Sequence, residues 1–351
     1  METEHHLIQN PPNYVLWELT LRCNFRCLHC AAGAGVPRKQ ELSTSEALDL
    51  CDQIAALSIP SVALMGGEPL LRPDWGQIAQ RLGEHEIQVG IITNGYLFNE
   101  KMARLVSDLG IVQVGVSLDA ADPKIHDQIR GIKGAHAKAI RAIRIINKMK
   151  LAHPTVITSV NKYNLCELSR ILNFLLSETQ DFLWIINHSS DHHTRSNKEK
   201  WTLDIKEYIQ MAAFIHNARN QHTGIHISGT HSLGYFSRKF TNLYDDQWSG
   251  CGAGITALGI RSNGDVSGCL ILPDRFIEDN IKRKKLVDIW NDENAFAYNR
   301  QFDPKKLKGN CQGCRWGDIC KAGCTNVAYC VSKSIYEYPY CLQHLEIKGT
   351  F

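Results

Sequence analysis

Cys23, Cys27 and Cys30 stand at C-x3-C-x2-C spacing in the stretch LTLRCNFRCLHCAAG. Three thiolates on so short a loop can wrap three corners of a cuboidal iron–sulfur cluster and leave the fourth iron open to a substrate or cofactor. The competing reading is zinc. Structural zinc wants four closed ligands, usually from paired C-x2-4-C knuckles. His29 is the nearest candidate for a fourth ligand, but the triad lacks the knuckle form. A second set lies far downstream: Cys251, Cys269, Cys311, Cys314, Cys320, Cys324, Cys330 and Cys341 are eight of the 13 cysteines. Cys311-x2-Cys314 alone would suit a zinc ribbon. Cys51 and Cys166 sit at helical positions and read as core residues.

The cysteine count is odd, and METEHHLIQNPPNY at the start has no apolar run that could serve as a signal peptide. A disulfide framework is therefore not expected, and the cytoplasm, where thiols stay reduced, is the expected location. No stretch is long and apolar enough to span a bilayer. The net charge of +3 is spread along the chain and makes no case for nucleic acid or a membrane surface as the main partner. Hydrophobic residues make up 44% of the 351 and charged residues 21%, which suits one large or two smaller well-cored domains.

Elements must place these residues. Short apolar runs at 15–20, 61–65, 87–92, 112–118, 154–160 and 181–187 are bounded by turn residues and read as buried strands. Helical patterns lie between them. Ser43-x-x-Glu46 is a capping-box signature opening a helix with Leu50, Ile54 and Leu57 on its apolar side. Residues 134–150 and 164–177 are also helical in period. Strand and helix alternating about six times predicts an α/β fold, a parallel sheet curled into an open, partial (β/α)6 barrel. Such barrels carry their active sites at the C-terminal strand ends, and the cysteine triad begins where the first strand stops. The segment 190–200 reads as a polar loop. After Cys251 the pattern changes: TALGI, the turn Asn263-Gly264 and DVSGCL predict a β-hairpin. A helix with Leu286, Ile289 and Trp290 follows, then a loop-rich tract too poor in apolar residues to fold without cross-links or metal. The expected organisation is an N-terminal extension at 1–14, a core at 15–230, a linker at 231–250 and a cysteine-rich domain at 251–351.

With these motifs the chain resembles the radical S-adenosylmethionine (SAM) superfamily along nearly all its length. The resemblance implies a [4Fe–4S] cluster on Cys23, Cys27 and Cys30 whose unique iron chelates SAM. Reductive cleavage of SAM then gives a 5′-deoxyadenosyl radical that abstracts a substrate hydrogen. Gly66-Gly67-Glu68-Pro69 after the second strand matches the family motif that holds the SAM amino group. Thr93 and Asn94, Ser117 and Asp119, and Ser159 and Asn161 end the third, fourth and fifth strands, where relatives line the SAM pocket. Arg130 matches an arginine near the SAM carboxylate, and His29 is placed beside the adenine. The downstream spacing, Cys251-x12-Gly264-x4-Cys269 and then Cys311-x2-Cys314-x5-Cys320-x3-Cys324 with Cys341 beyond, looks like the SPASM domain. By that likeness Cys251, Cys269 and Cys324 hold one auxiliary Fe–S cluster, and Cys311, Cys314, Cys320 and Cys341 hold another. Some relatives have a further cysteine soon after the first; here GAGITALGI has none. The first auxiliary cluster then has an open iron or takes Cys330 as a stand-in.

The resemblance implies an oxidoreductase-type radical enzyme fed by a donor such as flavodoxin or ferredoxin. A ribosomally made peptide is the first expectation for its substrate, because SPASM relatives mainly modify peptides. Only about 14 residues precede the first strand. A separate leader-recognition protein, direct reading of the peptide, or a small substrate such as a tetrapyrrole or sugar derivative are therefore all open. From another class, an Fe–S electron-transfer or regulatory protein would need no SAM pocket. As acid or base, His188, His192, His193 and Tyr329 are candidates by type alone, the histidines reading as members of a solvated loop.

Overall fold

The structure is a computed structural model that describes residues 10–150, 154–178, 181–189, 201–222, 225–230, 233, 237–244 and 250–351. Strand and helix alternate through β1 (Tyr14–Thr20), α1 (Thr44–Ala56), β2 (Ser61–Gly66), α2 (Trp75–Glu84), β3 (Gln88–Thr93), α3 (Glu100–Asp108) and β4 (Gln113–Ser117). The series continues through α4 (Pro123–Arg130), α5 (Ala135–Lys148), β5 (Pro154–Val160), α6 (Leu168–Glu178), β6 (Leu183–His188), α7 (Ile205–Gln221) and β7 (His226–Gly229). All seven strands run parallel in sequence order, and the sheet is open.

The expected six strands are present within a residue or two of their expected bounds. β7 is a seventh. Its four residues, HISG, alternate over too short a span to stand out in a sequence, and its pairing with β6 supplies the order that its length does not. The capping box is formed: the Glu46 N–H donates to Ser43 Oγ at 3.3 Å, and the Ser43 N–H donates to Glu46 Oε2 at 2.8 Å. Cys51 is buried in α1 as expected, but Cys166 is exposed. It sits in the one-turn helix Leu165–Glu167 ahead of α6, where Leu165 and Glu167 turn inward and Cys166 turns out. The segment 190–200 lies outside the described residues.

The cysteine-rich region does not stand apart from this sheet. The predicted hairpin is β8 (Ala257–Ile260) and β9 (Asp265–Ser267), followed by β10 (Ile277–Asn280). β8 runs parallel to β1 with Tyr14 opposite Ala257, so the full order is β10-β9-β8-β1-β2-β3-β4-β5-β6-β7. One apolar cluster runs from Trp17 and Leu64 through Ile186 to Leu258, Trp290 and Leu342. The remaining helices are α8 (Leu286–Asn291), α9 (Ala297–Arg300), α10 (Gly317–Cys320), α11 (Thr325–Ser332) and α12 (Leu342–Ile347). Among the described residues, no helix is long and apolar enough to cross a membrane.

A charged network pins this junction. Glu18, 3% exposed within β1, accepts from Arg38 Nη2 at 2.9 Å and from Ser262 Oγ at 2.8 Å. Glu41 accepts from Thr20 Oγ1 and from the Leu21 N–H, both at 2.8 Å, and from Ser262 Oγ at 2.9 Å. Ser262 belongs to the β8–β9 turn, so the C-terminal hairpin is tied to the end of β1 and to the loop after it. Glu18→Ala strands the Arg38 guanidinium and the Ser262 N–H without their acceptor. The expected loss is about 2 kcal/mol in anaerobic urea unfolding, in the range of hydrogen bonds to charged groups.

Candidate functional site

Cys23, Cys27 and Cys30 occupy the loop that leaves the C-terminal end of β1. Its first turn is closed by the Gly35 N–H donating to Leu21 O at 2.9 Å. Its middle is held against the end of α4, where the Leu28 N–H donates to Ile129 O at 2.9 Å and the Arg26 N–H to Arg130 O at 3.2 Å. Gly131 caps α4 in the left-handed region at φ 68°, and a Cβ there would overlap Arg26 O. Gly67 is equally constrained: a Cβ would overlap Arg22 O, because the Gly67 and Glu68 N–H groups donate to Thr20 O and Arg22 O at 2.8 Å. The two glycines of GGEP therefore act first as the wall that lets the cysteine loop come close.

Donors surround the sulfurs. The Phe25 N–H reaches Cys23 Sγ at 3.4 Å and the Ala34 N–H reaches Cys30 Sγ at 3.2 Å. Asn94 Nδ2 lies 4.0 Å from Cys23 Sγ, and Arg130 Nη1 lies 4.0 Å from Cys27 Sγ. Burial pushes the Cys23 thiol up to about 11 and raises that of Cys27. Left as bare thiols they would stay protonated. Iron compensates a thiolate's charge, so this donor set fits an iron–sulfur cluster.

Glu68 is fully buried and turned into the strand ends. Its carboxylate accepts from Thr93 Oγ1 at 2.8 Å, the Asn94 N–H at 2.8 Å and the Leu70 N–H at 3.3 Å. Burial outweighs these donors and pushes it up to about 7. Pro69, buried, opens the one-turn helix Pro69–Leu71 that this carboxylate caps. Asn94 Nδ2 donates to Asn24 Oδ1 at 2.8 Å, so Glu68 positions Asn94 and Asn94 braces the cysteine loop.

Asp119 and Arg130 are both buried and pair at 2.7 Å, with His29 Nε2 3.7 Å from the same carboxylate oxygen. The Ser159 N–H donates to Asp119 Oδ1 at 3.0 Å, and the Asp119 N–H donates to His126 Nδ1 at 3.1 Å. His29 is thus set on the Asp119–Arg130 pair, and burial lowers it to about 4, a neutral imidazole. Asn161 turns its side chain to local backbone, accepting from the Tyr163 N–H at 2.9 Å. Ser117, half-buried, ends β4 opposite Ile157. The structure gathers Thr93, Asn94, Asp119, Ser159 and Asn161 along one edge of the sheet, the edge from which the cysteine loop emerges.

The C-terminal thiols form two groups. Cys324, at the start of α11, is raised first by burial and then by the charges of Cys251 and Cys269, which marks these three as neighbours. The phenol of Tyr14 lies beside Cys269 and Cys251 and is pushed up to about 12 by burial and their charges. Cys311, Cys314, Cys320 and Cys341 line one cavity with Trp316 and Tyr338, and the Tyr338 N–H donates to Cys311 Sγ at 3.3 Å. Burial pushes Cys269 and Cys311 up to about 11. Among the described residues no three His, Cys, Asp or Glu side chains are arranged to hold a single ion. Cys330 sits in α11 with its Sγ on Asn326 Oδ1 at 3.7 Å.

Among the candidates chosen by type, His192 and His193 lie outside the described residues. His188 is not in a solvated loop: it ends β6, is 5% exposed, and packs its ring on Tyr208 and Tyr340 at 5.2 and 4.9 Å between centroids. Tyr329 accepts from Arg275 Nη1 at 3.1 Å and stacks edge-on to Phe276 near Cys251 and Cys269. Asn24, Gly131, His126 and Glu18 escaped the sequence reading. Only Glu18, a charge inside an apolar run, carried a visible signal.

Three thiols on the C-terminal edge of an open parallel sheet, backed by two further thiol groups, define an iron–sulfur protein. The family model for the radical SAM superfamily matches residues 17–175, and that for the SPASM iron–sulfur cluster-binding domain matches 251–315. The chain is 30% identical to the AdoMet-dependent heme synthase of Methanosarcina barkeri, over 95% of this chain and 97% of that protein. It is 27% identical to the mycofactocin maturase MftC of Mycobacterium ulcerans, over 92% of this chain and 84% of that one. The structure of Streptococcus suis SuiB bound to S-adenosylmethionine shares its fold with a TM-score of 0.75, at 19% identity over 95% of this chain and 77% of that one. The chain belongs to the radical SAM superfamily and carries a SPASM domain. It is a radical SAM enzyme whose cofactors are SAM, a [4Fe–4S] cluster and auxiliary iron–sulfur clusters.

Two substitutions probe the site. Gly67→Ala forces the cysteine loop off β2, and anaerobic iron analysis should show a loss of about four irons per chain, the content of one cubane. Asp119→Asn leaves the buried Arg130 cation without its partner and should cost about 3 kcal/mol in anaerobic chemical denaturation.

Proposed function

We propose that this enzyme abstracts hydrogen from a side chain of a tetrapyrrole. The observation that carries the reading is the match to a heme synthase at 30% identity across 95% of this chain and 97% of the relative. The bound cluster and SAM supply one-electron cleavage of SAM and a radical that takes the hydrogen. The chain's own residues hold the apparatus. Cys23, Cys27 and Cys30 would ligate the iron. The strand-end group of Thr93, Asn94, Ser117, Asp119, Ser159 and Asn161 would enclose SAM with His29 and Arg130. Cys251, Cys269 and Cys324, and the four thiols around Cys311, would hold the auxiliary clusters. Electrons would come from a flavodoxin or ferredoxin. Glu68 acts in this reading through Asn94, which it orients from within the sheet.

A peptide substrate, first in the sequence reading, is the second proposal. It is favoured by the 27% identity to mycofactocin maturase MftC over 92% of this chain, and a separate leader-recognition protein could belong to it.

The test is anaerobic incubation of reconstituted protein with SAM, dithionite and a carboxylated tetrapyrrole, with and without bound iron. The expected result is 5′-deoxyadenosine formed together with a tetrapyrrole lighter by carbon dioxide and the abstracted hydrogen, the electron left on the substrate passing to an auxiliary cluster, and Cys23→Ala reducing both products to background. An unchanged tetrapyrrole alongside a mass-shifted precursor peptide would replace the first reading with the second.

A further inference from the structure

Around Cys251 and Cys269 the protein places a hydroxyl that has nothing to bond to among the described residues. Tyr298 lies in α9, and its Oη is buried without a hydrogen-bond partner among them. Leaving a buried hydroxyl unmade costs about 1–3 kcal/mol, so such a group in a well-packed region calls for a partner.

Its position is fixed from several sides. The Tyr298 ring stands edge-on to Phe276 at 5.0 Å between centroids. The residues after it grip the turn that follows Cys251: Asn299 Nδ2 donates to Cys251 O at 2.6 Å and to Ala253 O at 2.7 Å, and Arg300 Nε donates to Gly254 O at 2.7 Å. The hydroxyl itself rests on Gly268, where a Cβ would overlap it, one residue before Cys269. Tyr298, Cys251 and Cys269 pack against the same small apolar group of Ala253, Leu272 and Phe276. A tyrosine hydroxyl carries its proton at neutral pH, so it can donate.

We infer that the Tyr298 hydroxyl donates a hydrogen bond to the sulfur shell of the cluster held by Cys251, Cys269 and Cys324, and thereby sets that cluster's potential apart from that of the other auxiliary cluster. The inference rests on the reading that these three cysteines hold a cluster. A donor to cluster sulfur stabilises the reduced, more negative state and raises the potential. At the other thiol group the donor to Cys311 is a backbone N–H, which no side-chain change removes.

The experiment uses the full chain with Cys23, Cys27 and Cys30 changed to alanine, so that only auxiliary clusters report. Iron content near eight per chain in this parent corresponds to two cubanes. EPR-monitored redox titration then compares the parent with Tyr298→Phe. The expected result is unchanged iron, one midpoint moved to lower potential and the other unmoved. Replacing Tyr298 with 3-fluorotyrosine keeps the ring's shape and makes the phenol a stronger donor; the same midpoint should then rise. A purely packing role would leave it in place. Unmoved midpoints at full iron content would overturn the inference, as would loss of one cluster's iron in Tyr298→Phe, which would make the hydroxyl a ligand or a structural prop. A parent holding only about four irons would remove the cluster reading itself, and the inference with it.

Discussion

A carboxylate buried inside an apolar strand governs how the first cluster loop and the C-terminal region meet. Glu18 would cost several kcal/mol to bury alone, and its neighbours offset that cost only while they remain in place. Those neighbours come from distant parts of the chain: Arg38 from the return limb of the cysteine loop and Ser262 from the β8–β9 turn. Glu41 closes the arrangement by accepting from the backbone at Leu21, two residues before Cys23, and from the same Ser262 hydroxyl. A shift of either the loop or the hairpin therefore uncovers a charge. The hairpin and the loop of the first cluster share one set of acceptors, and neither can be repositioned independently.

The same logic runs through the thiols. Burial makes Cys23, Cys27, Cys269 and Cys311 poor thiolates on their own. Water screens these partly buried sulfurs less than it would in the unfolded chain. Iron binding must supply the charge that water no longer does, so cluster assembly and the final packing of these loops are thermodynamically linked. The backbone N–H donors at Cys23 and Cys30 are already aimed, which lowers the cost of ordering the loop.

The cysteine spacing and the strand plan were legible because their signals are local. Spacing identifies the triad, alternation identifies the strands, and Ser43 with Glu46 announces a helix start. Fine placement was not legible, because it depends on partners far away in sequence. That Glu68 faces Thr93 and Asn94, that Arg130 pairs with Asp119, and that Gly131 makes room for Arg26 are all products of the fold. β7 was missed because four residues carry too little periodicity. Cys166 was misplaced because a one-turn helix precedes α6, turning Leu165 and Glu167 inward and Cys166 out. His188 seemed part of a charged loop because its neighbours in sequence are polar, whereas its neighbours in space are tyrosines from α7 and the C-terminal tract.

β1 has its first residue, Tyr14, beside Cys269 and Cys251, and its last residue opens into the loop of the cysteine triad. Seven residues of strand span roughly 20 Å. Hydrogen-bonded on both sides, by β2 and β8, the strand can neither stretch nor slide. It works as a ruler between the two thiol groups, so their separation is written into covalent length. A two-residue change in β1 would keep every side chain on its own face and still alter that separation.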